Sequence, residues 1–230
     1  MLKDWSNVII PEEEEINERL EKARNKLVQQ QILIMQKKLP VLVSFDGWGA
    51  AGKGSILGKI IKNIDPRFFK VAVMDKPTED EKRRPFLYRY VINIPEAGKF
   101  TFMDGGCLDE VTKQKLSGKI TDEEYKRKIE SVKRFERQLS DNGYLVIKFF
   151  FHIGEQEQRK RLTRLLDDKN TRWRVSEYDW WQNQHYKKSL KAFDQFIDDT
   201  SQSIAPWYII DATDKKWAQL QILETLVQAI

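Results

Sequence analysis

The residues best suited to do chemistry in this sequence form a glycine-rich loop around Lys53. Residues 43–56 read VSFDGWGAAGKGSI, in which Gly47 is followed by four residues and then by Gly52 and Lys53. Small residues let successive backbone N–H groups approach phosphate oxygens, and the lysine brings a mobile positive charge to terminal phosphates. The spacing predicts a phosphate-binding loop, with a tight strand-to-helix turn that binds nothing as the alternative. The loop is assigned to Gly47, Gly49, Ala50, Ala51, Gly52, Lys53, Gly54 and Ser55.

The loop departs from the usual pattern directly after its lysine. A serine or threonine normally follows and holds magnesium, whereas here Gly54 precedes Ser55. A metal ligand must then come from Ser55 or from a carboxylate. Asp104, which follows the apolar stretch KFTFM, is the candidate for that second acidic group. The alternative is that Asp104 only begins a turn, because MDGG is also a good turn sequence.

Strands and helices alternate along the chain, which predicts an α/β fold with a parallel sheet covered by helices on both faces. Short apolar runs predict strands at 40–46, 70–75, 99–104, 144–153 and 206–211. Helical spacing predicts helices at about 12–38, 54–64, 121–141, 155–166, 177–199 and 214–228. Ligands of such sheets bind beyond the carboxyl ends of the strands, so the glycine loop and Asp104 are expected to meet there. We predict one domain over 1–230, with an N-terminal helical segment within 1–39.

Composition and charge restrict the class of protein. The 230 residues include 40 basic and 35 acidic side chains, and the net charge of +5 is too small to indicate nucleic-acid binding by itself. The single cysteine, Cys107, excludes an internal disulfide and favours a reducing compartment. The first twenty residues lack an apolar signal core, and no apolar run approaches the roughly 18 residues that span a bilayer. We therefore predict a cytoplasmic protein. The two histidines lack the spacing of a zinc site, and His152, at a strand end, is interpreted as structural.

Six stretches of the sequence resemble, in order and spacing, those of the polyphosphate kinase 2 family. They are FDGWGAAGKGS, IDPRFFKV, PTEDEKRRPFLYRYVINIPEAGKFTFMD, RFERQLSDNGYLVIKFFFHI, TRWRVSEYDWW and APWYIIDATDKKWAQLQIL. The resemblance extends from about residue 15 to the C-terminus. It implies a P-loop kinase fold similar to thymidylate kinase, with a basic helical lid at about 167–182. It also implies transfer of a phosphoryl group between inorganic polyphosphate and a nucleoside mono- or diphosphate such as AMP or ADP, with Mg²⁺, by a protein that self-associates.

The resemblance also implies roles for individual residues. The catalytic residues would be Lys53, Asp104, Arg172 and Arg174, and Asp104 would hold magnesium. Arg89 and Asp179 match family positions near the nucleotide or polyphosphate. A further basic set could extend the polyanion track, but a solvated helix face is the favoured interpretation. That set comprises Arg159, Lys160, Arg161 and Arg164.

Two positions depart from the family pattern. Members usually carry an aspartate inside the loop, as in GWDAAGKG, where this chain has Gly49. They usually follow the second acidic residue with arginine, as in DRSWY, where this chain has Gly105. This pattern resembles the N-terminal half of tandem members. It leaves open a second hypothesis, a catalytically silent domain that binds polyphosphate.

A third, weaker hypothesis is single-stranded nucleic-acid binding through the basic and aromatic lid. There Trp173, Trp180 and Trp181 could stack on bases, although helix packing explains at least one of the last two equally well. We expect no nucleic acid and no membrane among the partners.

Overall fold

Five parallel strands form one sheet in the computed structural model, which describes residue 2 and residues 9–230. They are β1 (Val41–Gly47), β2 (Phe69–Val73), β3 (Phe100–Asp104), β4 (Leu145–His152) and β5 (Trp207–Asp211). The five predicted strands are thus confirmed. Their order, β2-β3-β1-β4-β5, places β1 at the centre of the sheet, between β3 and β4. The glycine loop therefore leaves from the middle of the carboxyl edge.

Helices cover both faces of this sheet, as the alternating pattern predicted. They are α1 (Glu13–Lys37), α2 (Lys53–Ile61), α3 (Glu79–Lys82), α4 (Tyr88–Val91), α5 (Cys107–Leu116), α6 (Asp122–Asp141), α7 (Glu155–Asp167), α8 (Glu177–Gln184), α9 (Tyr186–Thr200) and α10 (Lys215–Ala229). Helices α1, α2 and α10 pack together, and α5, α6 and α9 form a second group. The predicted N-terminal segment within 1–39 includes residues 1 and 3–8, which lie outside the described residues.

The structure corrects one helix prediction and adds three helices that were not predicted, the short α3 and α4 and the longer α5. The helix expected at 177–199 is divided at His185, whose φ of −117° and ψ of 37° end α8 before α9 begins. Helix α5 was not predicted at all. Its sequence follows two glycines, its N-cap Gly106 makes no side-chain cap, and few large apolar residues mark its buried face. No local sequence pattern therefore predicted helix α5.

Aromatic side chains fill the sheet core directly beneath the site. Phe45 of β1 packs against Phe102, Phe149 and Phe151, with ring centroids 5.6–6.2 Å apart. All four side chains are fully buried, so the strands that carry the site cannot shift without opening a cavity. No helix in the described part of the chain combines the length and apolar character needed to cross a bilayer.

Candidate active site

The first residues of the glycine loop pack against strand β4 and form a backbone hydrogen bond with it. Gly47 has a φ of +132°, and a Cβ there would lie 2.6 Å from the Phe151 backbone nitrogen, so only glycine fits. Trp48 is fully buried, donates its backbone N–H to the Phe151 carbonyl, and stacks on Tyr186 at 4.1 Å between centroids. Its indole N–H donates to Nδ1 of His152, 3.2 Å away. Burial lowers the pKa of His152 to about 4, so the ring is neutral and structural, as its position suggested.

The loop ends in a helix N-terminus that is open to an anion. Helix α2 begins at Lys53, its N-cap Gly52 has a φ of +96° and no side-chain cap, and its first turn carries no acid. The first N–H groups of a helix have no acceptor within the helix, and the positive end of its dipole lies there. The Lys53 Nζ donates to the carbonyls of Gly47 and Trp48 at 3.0 and 3.1 Å. Its charge is therefore held across the loop.

Side chains of α7 and α8 form hydrogen bonds with the backbone carbonyl and the backbone N–H of Gly49. Its N–H donates to Oε1 of Gln182 at 3.1 Å, and its carbonyl accepts from Nε2 of Gln158 at 3.3 Å. Gln158 and Gln182 are both buried. Although Gly49 belongs to the predicted phosphate-binding set, its own N–H is thus occupied by protein. The loop and the lid helix α8 are coupled at this residue.

Arg161 corrects the interpretation of the basic set on α7. Its guanidinium donates to the carbonyls of Ala51, Ala212 and Thr213 at 3.1, 2.9 and 2.7 Å, and its side chain is only 14% exposed. It therefore joins the loop to the segment after β5. The solvated-face interpretation is wrong for Arg161, whereas Arg159, Lys160 and Arg164 are exposed. The four basic residues occur on one predicted helix, and no local sequence signal showed that Arg161 alone binds backbone carbonyls.

Asp104 lies beside the start of α2, as the strand ends predicted. A Cβ on Gly54 would stand 3.3 Å from Oδ2 of Asp104. Sequence reasoning missed two further carboxyls, Asp46 in FDG at the end of β1 and Asp109 in the first turn of the unpredicted α5. Oδ1 of Asp46 accepts the Gly106 N–H at 2.9 Å. The position of Asp46, directly before the loop, was the available signal.

Burial raises the pKa of all three carboxyls. The pKa of Asp46 reaches about 7 through burial and then through the charge of Asp109. Burial also raises the pKa of Asp104 and of Asp109, while the positive charge of Lys53 opposes each shift. One lysine thus stands among three carboxyls, and the site favours additional positive charge.

These carboxyls fit Mg²⁺ in charge and in donor type. Oδ2 of Asp46 and Oδ1 of Asp109 are buried and have no hydrogen-bond partner within the described residues. Mg²⁺ prefers oxygen ligands and is commonly held by one or two carboxylates together with water and substrate phosphates. The described part of the chain contains no set of three or more side chains arranged around one metal position. The protein would therefore supply only part of the coordination shell.

A cavity of about 700 Å³ lies against α5 and the turn after β3, and Arg89, Asp109 and Tyr178 contribute to its lining. Arg89 is buried and donates to the Asp75 carbonyl at 2.6 Å. The rings of Tyr178 and Trp181 lie 5.8 Å apart and nearly parallel, and Lys113 lies 4.2 Å above Tyr178. The wall is thus aromatic and cationic at once. Stacked rings and cations of this kind suit a nucleotide.

The predicted lid contains α8 and a short 3₁₀ turn at Arg172–Arg174. Both arginines are exposed, and the Arg174 guanidinium lies 5.2 Å from the ring of Trp173, which is itself 75% exposed. Trp180 and Trp181 are half-buried, in keeping with helix packing.

A group of cations surrounds the start of α10. The pKa of Lys215 is lowered by burial first and then by the charges of Arg161, Arg164, Lys59 and Arg174. The effect of these charges on Lys215 means that cations from α2, α7, the lid and α10 lie near one another. Such a surface suits a polyanion.

The chain is similar to several known proteins. The sequence profile of the polyphosphate kinase 2 family matches residues 11–230. A polyphosphate:AMP phosphotransferase of Pseudomonas syringae pv. tomato is 32% identical over 194 residues, which are 84% of this chain and 39% of that protein. A polyphosphate kinase 2 structure from Pseudomonas aeruginosa PA01 superposes with a TM-score of 0.92 and 27% identity, over 99% of this chain and 49% of that one.

A second solved structure, the polyphosphate kinase 2 of Arthrobacter aurescens TC1, has a TM-score of 0.82 and 26% identity, over 93% of this chain and 75% of that one. The chain spans about two fifths of the length of the curated polyphosphate:AMP phosphotransferases that it matches. Its five-stranded parallel sheet, with the glycine loop between β1 and α2, has a P-loop kinase fold. The chain therefore belongs to the polyphosphate kinase 2 family.

Proposed function

We propose that the chain transfers a phosphoryl group between inorganic polyphosphate and a nucleoside mono- or diphosphate. The observation that carries the proposal is the uncapped start of α2 at Lys53. The charge of Lys53 acts on Asp109 of the cavity wall, and Lys59 of the same helix lies near the cations around Lys215, so α2 is close to two surfaces of different character. One is the aromatic and basic cavity at Arg89, and the other includes the cations around Lys215. A phosphate at the loop would lie between a nucleotide on one surface and a phosphate chain on the other.

In the proposed mechanism the protein aligns the reactants and neutralises charge. In-line phosphoryl transfer needs no covalent intermediate, so alignment and charge neutralisation provide most of the rate enhancement. The N–H groups at the start of α2 and the Lys53 ammonium would bind the transferred phosphoryl group. Arg172 and Arg174 would contact the phosphate chain, and Arg89 would orient the nucleotide from the cavity wall.

Asp104 would hold Mg²⁺ on the loop side, and Asp46 and Asp109 lie within the same group of carboxyls. When bound, the ion supplies positive charge to the phosphate oxygens and screens them from the carboxylates. Asp104 would orient it toward the helix start, and the charges of Asp46 and Asp109 would favour its binding. Self-association and cytoplasmic localisation stay predictions.

The test is an assay of the wild-type protein with Mg²⁺, long-chain polyphosphate and AMP, ADP, GMP or GDP in turn. We expect new nucleoside di- or triphosphate from at least one acceptor. Lys53→Met should abolish transfer and weaken tripolyphosphate binding in calorimetry roughly tenfold or more, because it removes the charge held across the loop. Lys62→Met is the matched control, since Lys62 is exposed at the other end of α2 and should change neither quantity.

Two outcomes separate this proposal from the silent binding domain. Tripolyphosphate binding that depends on Lys53, with no transfer to any nucleotide, would favour the binding domain. Binding that Lys53→Met leaves unchanged would remove the loop from both hypotheses. Competition between polyphosphate and single-stranded DNA, measured at fixed salt, tests the nucleic-acid hypothesis, which requires comparable affinities for the two.

A further inference from the structure

Two segments of the chain contribute walls to the cavity, and one tyrosine hydroxyl joins them. The α4 wall (residues 74–90) lies between β2 and β3, and the α5 wall (residues 105–119) follows β3. Tyr90 of the α4 wall places its hydroxyl 3.3 Å from the Gly106 carbonyl oxygen and 3.1 Å from Oε2 of Glu110, both in the α5 wall. Among the described residues, every side-chain hydrogen bond between the two walls involves this hydroxyl.

The Tyr90 hydroxyl acts as a buried donor. The side chain is 2% exposed, and burial is the largest cause that raises the pKa of Tyr90, so the phenol keeps its proton. A hydroxyl has one proton to donate, and here two acceptors share it. The carboxylate of Glu110 is the closer acceptor and carries a charge, so it forms the stronger bond. Phenylalanine at this position would leave Glu110 without that donor.

Gly106 at the start of α5 is held from a second side by Asp46. Its N–H donates to Oδ1 of Asp46 at 2.9 Å, and a Cβ on Gly106 would stand only 2.9 Å from Cγ of Asp46. The Asp46 carboxyl group therefore packs directly on Gly106. Because Asp46 precedes Gly47 in the chain, the start of α5 is bound to the phosphate loop independently of Tyr90.

Glu110 extends the contact of Tyr90 to Arg89. Its Oε2 lies 3.8 Å from Nη1 of Arg89, and Oε1 of Glu81 lies 3.9 Å from Nε on another side of the guanidinium. Both separations exceed a hydrogen bond, so the carboxylates attract the charge of Arg89 without accepting its protons. Arg89 is 7% exposed, and its Nε has no hydrogen-bond partner within the described residues. The orientation of Arg89 thus depends on where Glu110 is held.

We propose that Tyr90 is a positioning residue of the nucleotide site, whose hydroxyl joins the two walls and holds Glu110 against Arg89. The proposal rests on the proposed function, which places the nucleotide in this cavity. Tyr90 acts through Glu110 and not on the reacting phosphates. A side chain that is already oriented loses less conformational entropy when a ligand binds, so a fixed Arg89 raises affinity for the nucleotide.

The first test removes the hydroxyl oxygen and keeps the buried ring. Tyr90→Phe should still fold, with a melting temperature lowered by about 3–10 °C, because one buried bond to a carboxylate is lost. In calorimetry its affinity for AMP, ADP, GMP or GDP, whichever the wild type binds, should fall roughly tenfold. Its affinity for tripolyphosphate should stay within about twofold of wild type, since Asp46 still holds Gly106 beside the loop.

Transfer kinetics should show the same division between the two substrates. Tyr90→Phe should raise the KM for the nucleotide roughly tenfold, change kcat less than about threefold and leave the KM for polyphosphate within about twofold. Tyr88→Phe is the matched control, because it removes the same oxygen two residues earlier, from a ring that lies 4.5 Å from the Arg84 guanidinium. That variant should leave both affinities unchanged.

The second test asks whether Tyr90 acts through Glu110. Glu110→Ala removes the acceptor, so adding Tyr90→Phe to it should weaken nucleotide binding less than about twofold further. A further loss as large as the one in the wild-type background would overturn Glu110 as the link between Tyr90 and Arg89.

The remaining outcomes separate this proposal from the proposed function. Wild type that binds a nucleotide in a Tyr90-dependent way but transfers no phosphoryl group would overturn the proposed function and support the positioning role. Tyr90→Phe that binds nucleotide like wild type would overturn the positioning role, as would equal losses of affinity for nucleotide and tripolyphosphate. Wild type that binds none of the four nucleotides would overturn both.

Discussion

Replacing Arg161 with methionine should destabilise the protein and loosen the phosphate loop. The guanidinium of Arg161 donates to the carbonyl of Ala51 in the loop and to the carbonyls of Ala212 and Thr213 after β5. It therefore joins two segments that are far apart in the sequence. Methionine retains most of the apolar stem and removes the donors, so the change isolates the polar part of the contact.

The expected cost follows from the acceptors that lose their donor. Ala51 and Ala212 are both fully buried, and a buried carbonyl without a partner costs about 1–3 kcal/mol. Two such groups give about 3 kcal/mol, since methionine packing recovers part of the larger sum. For a domain of this size that corresponds to a fall in melting temperature of about 6–12 °C. Arg161→Lys should lose about half as much, because one ammonium does not reproduce the fork of donors.

Urea denaturation and calorimetry with tripolyphosphate measure the two consequences. Arg159→Met is the matched control, because Arg159 is exposed on α7 and should change stability by no more than about 0.5 kcal/mol. Arg161→Met should also bind tripolyphosphate more weakly than Arg159→Met does. A loss of less than about 1 kcal/mol, with unchanged binding, would refute the assignment of Arg161 as a structural link of the loop.

Two further predictions concern His152 and Gly105. The pKa of His152 is about 4 in the folded chain against 6.5 for the free side chain. The unfolded chain therefore takes up the proton first, and about 2 kcal/mol of stability should be lost between about pH 7.5 and about pH 5. Urea titrations should show that loss in wild type but not in His152→Gln, and equal losses would contradict it. Gly105→Arg should cost roughly 1–2 kcal/mol or more without raising transfer, because Gly105 has a φ of +95° and a Cβ there would meet Met74 at 3.2 Å. Gly118→Arg, with a φ of +70° in open space, is its control, and a stable Gly105→Arg with faster transfer would refute the constraint.

The elements of the fold were predictable because their signals are local. Each strand is a short apolar run, and the spacing of Gly47, Gly52 and Lys53 predicts the loop. Helix α5 was not predicted, because the two glycines before it are typical of a turn and because few residues form its buried face. The break between α8 and α9 at His185 was not predicted, because apolar residues continue at helical spacing on both sides of it. The order of strands depends on tertiary packing, which no local pattern records.

Only those site residues that lie next to a predicted strand end could be predicted from the sequence. The loop lysine and Asp104 follow from their positions at strand ends, and these do come together. Asp109 depends on the orientation of an unpredicted helix, and the role of Arg161 depends on carbonyls that lie 51 and 110 residues away along the chain. A charged side chain that binds backbone looks the same in sequence as one that binds water. Such contacts become visible only when the fold is known.

The two glycines that depart from the family pattern are integrated into the fold, and this changes what their presence implies. Gly105 has a left-handed conformation, donates its N–H to the Phe45 carbonyl at 3.0 Å and packs against Met74. Gly49 admits a carboxylate from α8. A position that had merely lost its side chain would leave open space, as at Gly58. The space beside Gly49 is therefore filled by the carboxyl group of Asp179, which comes from another element of the fold.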